Sequence, residues 1–169
     1  VNLGKLGQTW ASLVKYEERK NMQVSVKWID GVSFVGESES GHAVVLDGAP
    51  ENGGRNIGMR PMEMLLIGMG GCTSFDVVTI LKKARQAVTH CVAEIHAIRA
   101  DEIPKVFTKI HVHFVVTGNG LNPVQVERAV KLSAEKYCSA SIMLSKACEI
   151  SHDFEIKASD VSADAVNTD

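Results

Sequence analysis

The sequence has no excess of charge: 18 Lys and Arg against 20 Asp and Glu leave a formal net charge of −2. Nothing in that balance points to nucleic acid or an anionic membrane surface as a partner. Residues 1–21 lack the apolar run of a signal peptide and carry Lys5, Lys15, Glu17, Glu18, Arg19 and Lys20, so the expected compartment is the cytosol, where thiols stay reduced. Cysteine is scarce. Cys72, Cys91, Cys138 and Cys148 form no Cys-x-x-Cys pair, which gives a zinc site little support and makes a small buried apolar residue the default for each. Internal repeats and low-complexity tracts are absent. Gly68-Met69-Gly70-Gly71 lacks the Gly-Lys-Ser/Thr ending and the preceding strand of a phosphate loop. Ser133-Ala134-Glu135-Lys136 matches the Ser-x-x-Lys of penicillin-binding enzymes without their Ser-Asp-Asn and Lys-Thr-Gly elements, and is read as chance.

What is present is one long apolar run from Pro61 to Leu81, in which only Glu63 and Asp76 carry charge. A helix apolar nearly all round is buried on every side. Pro61 suits a first helical position, and Lys82, Lys83 and Arg85 suit the last turn, facing the negative end of the helix dipole. Gly68, Gly70 and Gly71 just before Cys72 predict a close backbone approach or a break that starts a new helix. A membrane span fits by length, but two acidic residues and the strand-like segments that follow argue against it.

Around this run the chain reads in order. Leu3, Leu6, Trp10, Leu13 and Val14 predict an amphipathic helix over 3–19. Val24, Val26 and Trp28 alternate with polar residues as in a half-buried strand, and Asp30-Gly31 predicts a tight hairpin into Val32–Glu37. Ala43–Leu46 reads as a third strand. Residues 48–60 form a long polar loop, a kind that is often functional. After the central helix come strands at 91–98 and from Pro104 through Val116, the second with Ile110, Val112, Phe114 and Val116 inward. His111 and His113 share its outer face and, without a clear third ligand, read as solvated imidazoles rather than a metal pair. Asn122-Pro123 opens a helix running to Tyr137-Cys138. Ser139–Ala147 continue as a second helical piece, and 151–156 form a last short strand.

Segregated strands and helices at a length of 169 residues indicate one α+β domain with a mostly antiparallel sheet against the central helix. One sheet covers only one side of so apolar a helix. A second subunit is expected to cover the rest, which predicts an obligate homodimer with the two central helices packed together.

Pro61-Met62-Glu63-Met64-Leu65 with Gly70-Gly71-Cys72 resembles the helix entry of the OsmC/Ohr family, and Glu135-Lys136-Tyr137-Cys138-Ser139 resembles its second cysteine motif. The two cysteines stand 66 positions apart, which suits the family, and the similarity is greatest to its OsmC-like, YhfA-type branch. The resemblance covers an OsmC-like domain over 22–157, which follows the helical extension read over 1–21 and precedes a polar tail, 158–169, expected to be disordered. It implies an intertwined homodimer with mostly antiparallel sheets wrapped around two long buried helices. It also implies a thiol peroxidase for organic hydroperoxides: Cys72 attacks the peroxide, Cys138 resolves the sulfenic acid to a disulfide, and a dithiol reductant restores both thiols, with no metal or other cofactor. The partners implied are a small apolar hydroperoxide and that reductant, with no nucleic acid and no membrane. The family's activating pair departs here. The position after the proline is Met62 rather than glutamate, Glu63 follows as a possible orienting group, and Gly31–His42 holds no arginine, leaving Arg55 and Arg60 as candidate substitutes. The other reading is a non-enzymatic module that holds a small apolar or thiol-reactive ligand at the dimer interface.

Overall fold

The computed structural model describes residues 22–159; the helix expected over 3–19 and residues 160–169 of the expected tail lie outside them. The chain divides into two compact units at Glu63/Met64.

In the first unit, β1 (Val24–Asp30), β2 (Ser33–Ser38) and β3 (Ala43–Leu46) form an antiparallel sheet in the order β1-β2-β3. Asp30 pairs with Ser33, so the hairpin loop is Gly31-Val32 rather than Asp30-Gly31. Gly31 alone takes a positive φ, +54°, as the turn with glycine at its first central position requires. β1 was expected to be half-buried, yet all seven of its residues are exposed; it is an edge strand, and no described residue covers either face. The long loop after β3 is organised by Asp47, which is buried. Its carboxylate accepts hydrogen bonds from Ser33 Oγ (2.9 Å), Gly48 N (2.9 Å), Arg55 N (2.9 Å) and Ile57 N (3.1 Å). The loop folds so closely that a Cβ on Gly54 would stand 1.8 Å from the Gly48 carbonyl oxygen, which leaves glycine as the residue that fits.

Helix α1 (Pro61–Lys83) runs without a break through Gly68, Gly70 and Gly71. Of the two outcomes those glycines allow, the close approach is realised: a Cβ on Gly70 would lie 2.8 Å from Ile95 Cδ1. Arg85 falls outside the helix. Its φ of +56° and the bonds from Arg85 N to Lys82 O (3.0 Å) and Gln86 N to Leu81 O (3.0 Å) make a Schellman cap.

In the second unit, β4 (Ala87–Arg99), β5 (Phe107–Asn119) and β6 (Glu149–Ala158) form a second sheet in the order β4-β5-β6. The six strands are thus two three-stranded sheets, not one sheet. β4 and β5 are antiparallel, and β5 and β6 are parallel. A parallel pair needs a crossover rather than a hairpin. Here it is α2 (Pro123–Leu132), a single π-helical turn (Ser133–Tyr137) and α3 (Ser139–Leu144). Asn122 caps α2 by accepting from Val124 N at 2.9 Å, with Pro123 in the first turn. The inward residues are as the alternation predicts: Ile110, Val112, Phe114 and Val116 are buried. From α2, Val126, Ala129 and Val130 are buried as well. On α1 the buried stripe is Met69, Gly70, Thr73, Val77 and Leu81, the spacing of one helix face. Leu65, Ile67 and Phe75 are 50%, 53% and 71% exposed. The described residues therefore cover one face of the helix, not every side.

Candidate thiol site

Cys72 lies in the middle of α1, with Asp76 one turn later on the same face. Cys138 arrives from the β5–β6 crossover. The π turn adds one residue to the end of α2, closed by Cys138 N to Ser133 O at 2.9 Å, and Cys138 becomes the N-cap of α3. The sulfur atoms of Cys72 and Cys138 and an Asp76 carboxylate oxygen all lie within 4.8 Å of one another. Both cysteines are free thiols; Cys72 is half-buried and Cys138 fully buried.

Hydroxyl groups hold this arrangement. Thr73 Oγ1 and Ser133 Oγ stand 2.7 Å apart in the core, tying α1 to the π turn. Ser133 Oγ is also 3.2 Å from Asp76 Oδ2. Ser141 donates to Cys138 Sγ from its backbone N–H (3.4 Å) and its hydroxyl (3.2 Å). Burial pushes the Cys138 thiol above its ordinary value, and the two Ser141 bonds oppose that push. Burial also raises the Cys91 and Cys148 thiols. The Cys148 thiol points at the Leu144 carbonyl, 3.4 Å away. Cys91 stays on β4, and Cys148 lies between α3 and β6.

A cleft of about 500 Å³ adjoins the site, lined by Phe75, Asp76, Ile80, Leu132 and Tyr137, with Arg128 among its polar residues.

Glu63 is the sequence candidate with a different occupation. Its Oε2 accepts from the Arg60 backbone N–H at 2.8 Å, the reach-back of a capping box, and Cys72 is about two and a half turns further along α1. The two loop arginines are held within their own unit. Arg55 pairs with Asp30 (3.4 Å) and reaches Ser33 Oγ (3.4 Å), and Arg60 donates to Asn56 Oδ1 (2.6 Å).

Asp76, Thr73, Ser133 and Ser141 were not singled out as site residues from the sequence. The spacing of Asp76 four residues after Cys72 was the available signal. Ser133 stands at helical spacing and in a chance motif, and nothing local announces its contact across 60 residues.

The fold and the paired cysteines define an OsmC-like protein: the family model of that description matches residues 53–153, and the chain belongs to this family. Among curated relatives, protein YhfA of Escherichia coli K12 is 49% identical over 137 residues, 81% of this chain and 99% of its own length. A hypothetical protein from Aquifex aeolicus superposes with a TM-score of 0.73 at 29% identity, over 82% of this chain and 98% of its own. The organic hydroperoxide resistance protein OsmC of Legionella pneumophila shares the fold, with a TM-score of 0.61 at 15% identity over 80% of this chain and 96% of its own.

Proposed function

We propose that this protein is a cysteine-based reductase of organic hydroperoxides, with Cys72 as the attacking thiol and Cys138 as the resolving one. The observation that carries the reading is the convergence of two free thiols within 4.8 Å from elements 66 residues apart in sequence. The partly accessible sulfur, Cys72, suits attack on an incoming peroxide. The buried one, whose thiol is pushed up by burial, suits a second step within the protein.

The Cys72 thiolate attacks the outer peroxide oxygen, and the O–O bond breaks. The alkoxide takes a proton and leaves as alcohol, and Cys72 becomes a sulfenic acid. Cys138 sulfur then attacks Cys72 sulfur. An S–S bond forms and the sulfenic oxygen leaves as water, carrying the thiol proton and one more. A dithiol reductant exchanges with this disulfide and returns two electrons and two protons. The cleft beside Asp76 has apolar walls of Phe75, Ile80 and Leu132, which suit the organic part of a hydroperoxide. The exposed Leu65, Ile67 and Phe75 of α1 favour a homodimer in which a second α1 covers them, with mostly antiparallel sheets around both helices. Mass spectrometry after one equivalent of cumene hydroperoxide tests the reading through a Cys72–Cys138 disulfide.

A second reading, a non-enzymatic module that binds a small apolar or thiol-reactive ligand, has one observation in its favour. Arg55 and Arg60, the cations the sequence offered for activating a thiol, are engaged within the first unit, Arg55 with Asp30 of β1 and Arg60 with Asn56.

A further inference from the structure

We infer that Cys72, Asp76 and Cys138 form a binding site for a thiophilic divalent cation of the Zn²⁺ class, held only while both thiols are reduced. Asp76 is the residue that calls for this. A disulfide-forming pair needs two sulfurs and no carboxylate. Yet an Asp76 oxygen lies within 4.8 Å of both sulfurs, and among the described residues no Lys or Arg forms an ion pair with it. With the thiols ionised, three anionic groups would crowd one point. A cation at that point turns their repulsion into attraction.

The donor set and spacing fit. A tetrahedral site with metal–sulfur bonds of about 2.3 Å and metal–oxygen bonds of about 2.0–2.2 Å places its ligand atoms roughly 3.5–3.8 Å apart. Side-chain rotation closes the cluster, whose ligand atoms already lie within 4.8 Å of one another, to that size. Two thiolates with one carboxylate select Zn²⁺ or its soft neighbours over Mg²⁺ and Ca²⁺, which prefer oxygen, and three protein ligands leave a fourth position for water. The surrounding bonds are those of an outer shell: Ser133 Oγ donates to Asp76 Oδ2 (3.2 Å), and Ser141 donates twice to Cys138 Sγ. The missing Cys-x-x-Cys pair carries no weight against the site, because its ligands are assembled by the β5–β6 crossover instead of by local spacing. Oxidation to the Cys72–Cys138 disulfide consumes both sulfur ligands, so metal and disulfide exclude each other.

The test is anaerobic titration of the reduced full-length chain with Co²⁺, followed by displacement with Zn²⁺. Intense visible bands of tetrahedral Co²⁺ and a sulfur-to-cobalt charge-transfer band are expected at one Co²⁺ per chain, lost on adding Zn²⁺. C91S and C148S keep these bands. C72S and C138S weaken binding by more than about 100-fold, beyond the 10–100-fold typical of outer-shell changes, and D76N weakens it by at least about tenfold. The diamide-oxidised wild-type protein, which carries no substitution, gives no bands. Bands that persist in C72S, in C138S or in the oxidised protein, or D76N binding as tightly as wild type, overturn the proposal. Peroxide takes no part in this assay, so its result and that of the hydroperoxide reading fail or stand separately.

Discussion

Thr73 Oγ1 and Ser133 Oγ meet at 2.7 Å in the core, both fully buried. This bond, between the residue after Cys72 and the residue five before Cys138, fixes the distance between the two thiols. Ser133→Ala leaves the buried Thr73 hydroxyl without that partner and Asp76 without its donor. Loss of about 1–3 kcal/mol of stability is expected, read from the denaturant midpoint, together with slower closure of the disulfide. The double variant Thr73→Val/Ser133→Ala, which removes both partners, should recover part of the stability, because paired removal leaves nothing unsatisfied.

Glu63 caps the helix on which Cys72 sits. Glu63→Ala is expected to cost about 1 kcal/mol of stability, the usual worth of a cap, while leaving the alkylation rate of Cys72 by iodoacetamide unchanged. A large fall in that rate without loss of stability would return Glu63 to the thiol chemistry.

The first unit should be sensitive to acid through Asp47. Its hydrogen bond from Ile57 N, with those from Ser33, Arg55 and Gly48, holds the carboxyl at about 2. The unfolded chain has an ordinary Asp value of about 3.9. A group depressed on folding stabilises fully above the unfolded value and loses that contribution as pH falls toward the folded one. Asp47→Asn should therefore flatten the loss of stability between about pH 4 and pH 2, measured by thermal melts across that window.

Two histidines on opposite faces of the second sheet should titrate in opposite directions. His113 Nδ1 stands 2.5 Å from Asp153 Oδ1, and this hydrogen bond raises the pKa of His113 above the ordinary 6.5. His152 stacks on Phe114 with ring centroids 6.5 Å apart, its buried Nε2 has no hydrogen-bond partner among the described residues, and burial lowers its pKa. The His113 contribution to stability is present below its unfolded value and is lost as pH rises through the raised one. The His152 contribution is present above its unfolded value and is lost as pH falls below it. Imidazole NMR titration checks both, and Asp153→Asn should bring His113 back toward its ordinary value while leaving His152 the lower of the two.

These cases show what was legible in the sequence and what was not. Two-residue alternation exposed the inward face of β5, and Asn122-Pro123 marked the start of α2, because both signals are local. The paired cysteines were legible through motif and separation. The surroundings of the thiols were not: the Thr73–Ser133 contact, the π turn and the arrival of Ser141 at Cys138 depend on a parallel β5–β6 pairing that short-range patterns do not encode. The hairpin loop differed by one residue because Asp30 still pairs with Ser33, leaving the positive φ to Gly31 alone. The expectation that α1 is covered all round rested on its composition, and the described residues cover only one face.

The most direct measurement is stopped-flow oxidation of the fully reduced protein by cumene hydroperoxide, with thiol counting and peptide mass spectrometry of the product. Rapid loss of two thiols per chain and a Cys72–Cys138 disulfide are expected. Cys72→Ser should abolish the reaction, and Cys138→Ser should halt it at the Cys72 sulfenic acid. Oxidation no faster than that of free cysteine, or a product that leaves Cys72 reduced, would contradict it.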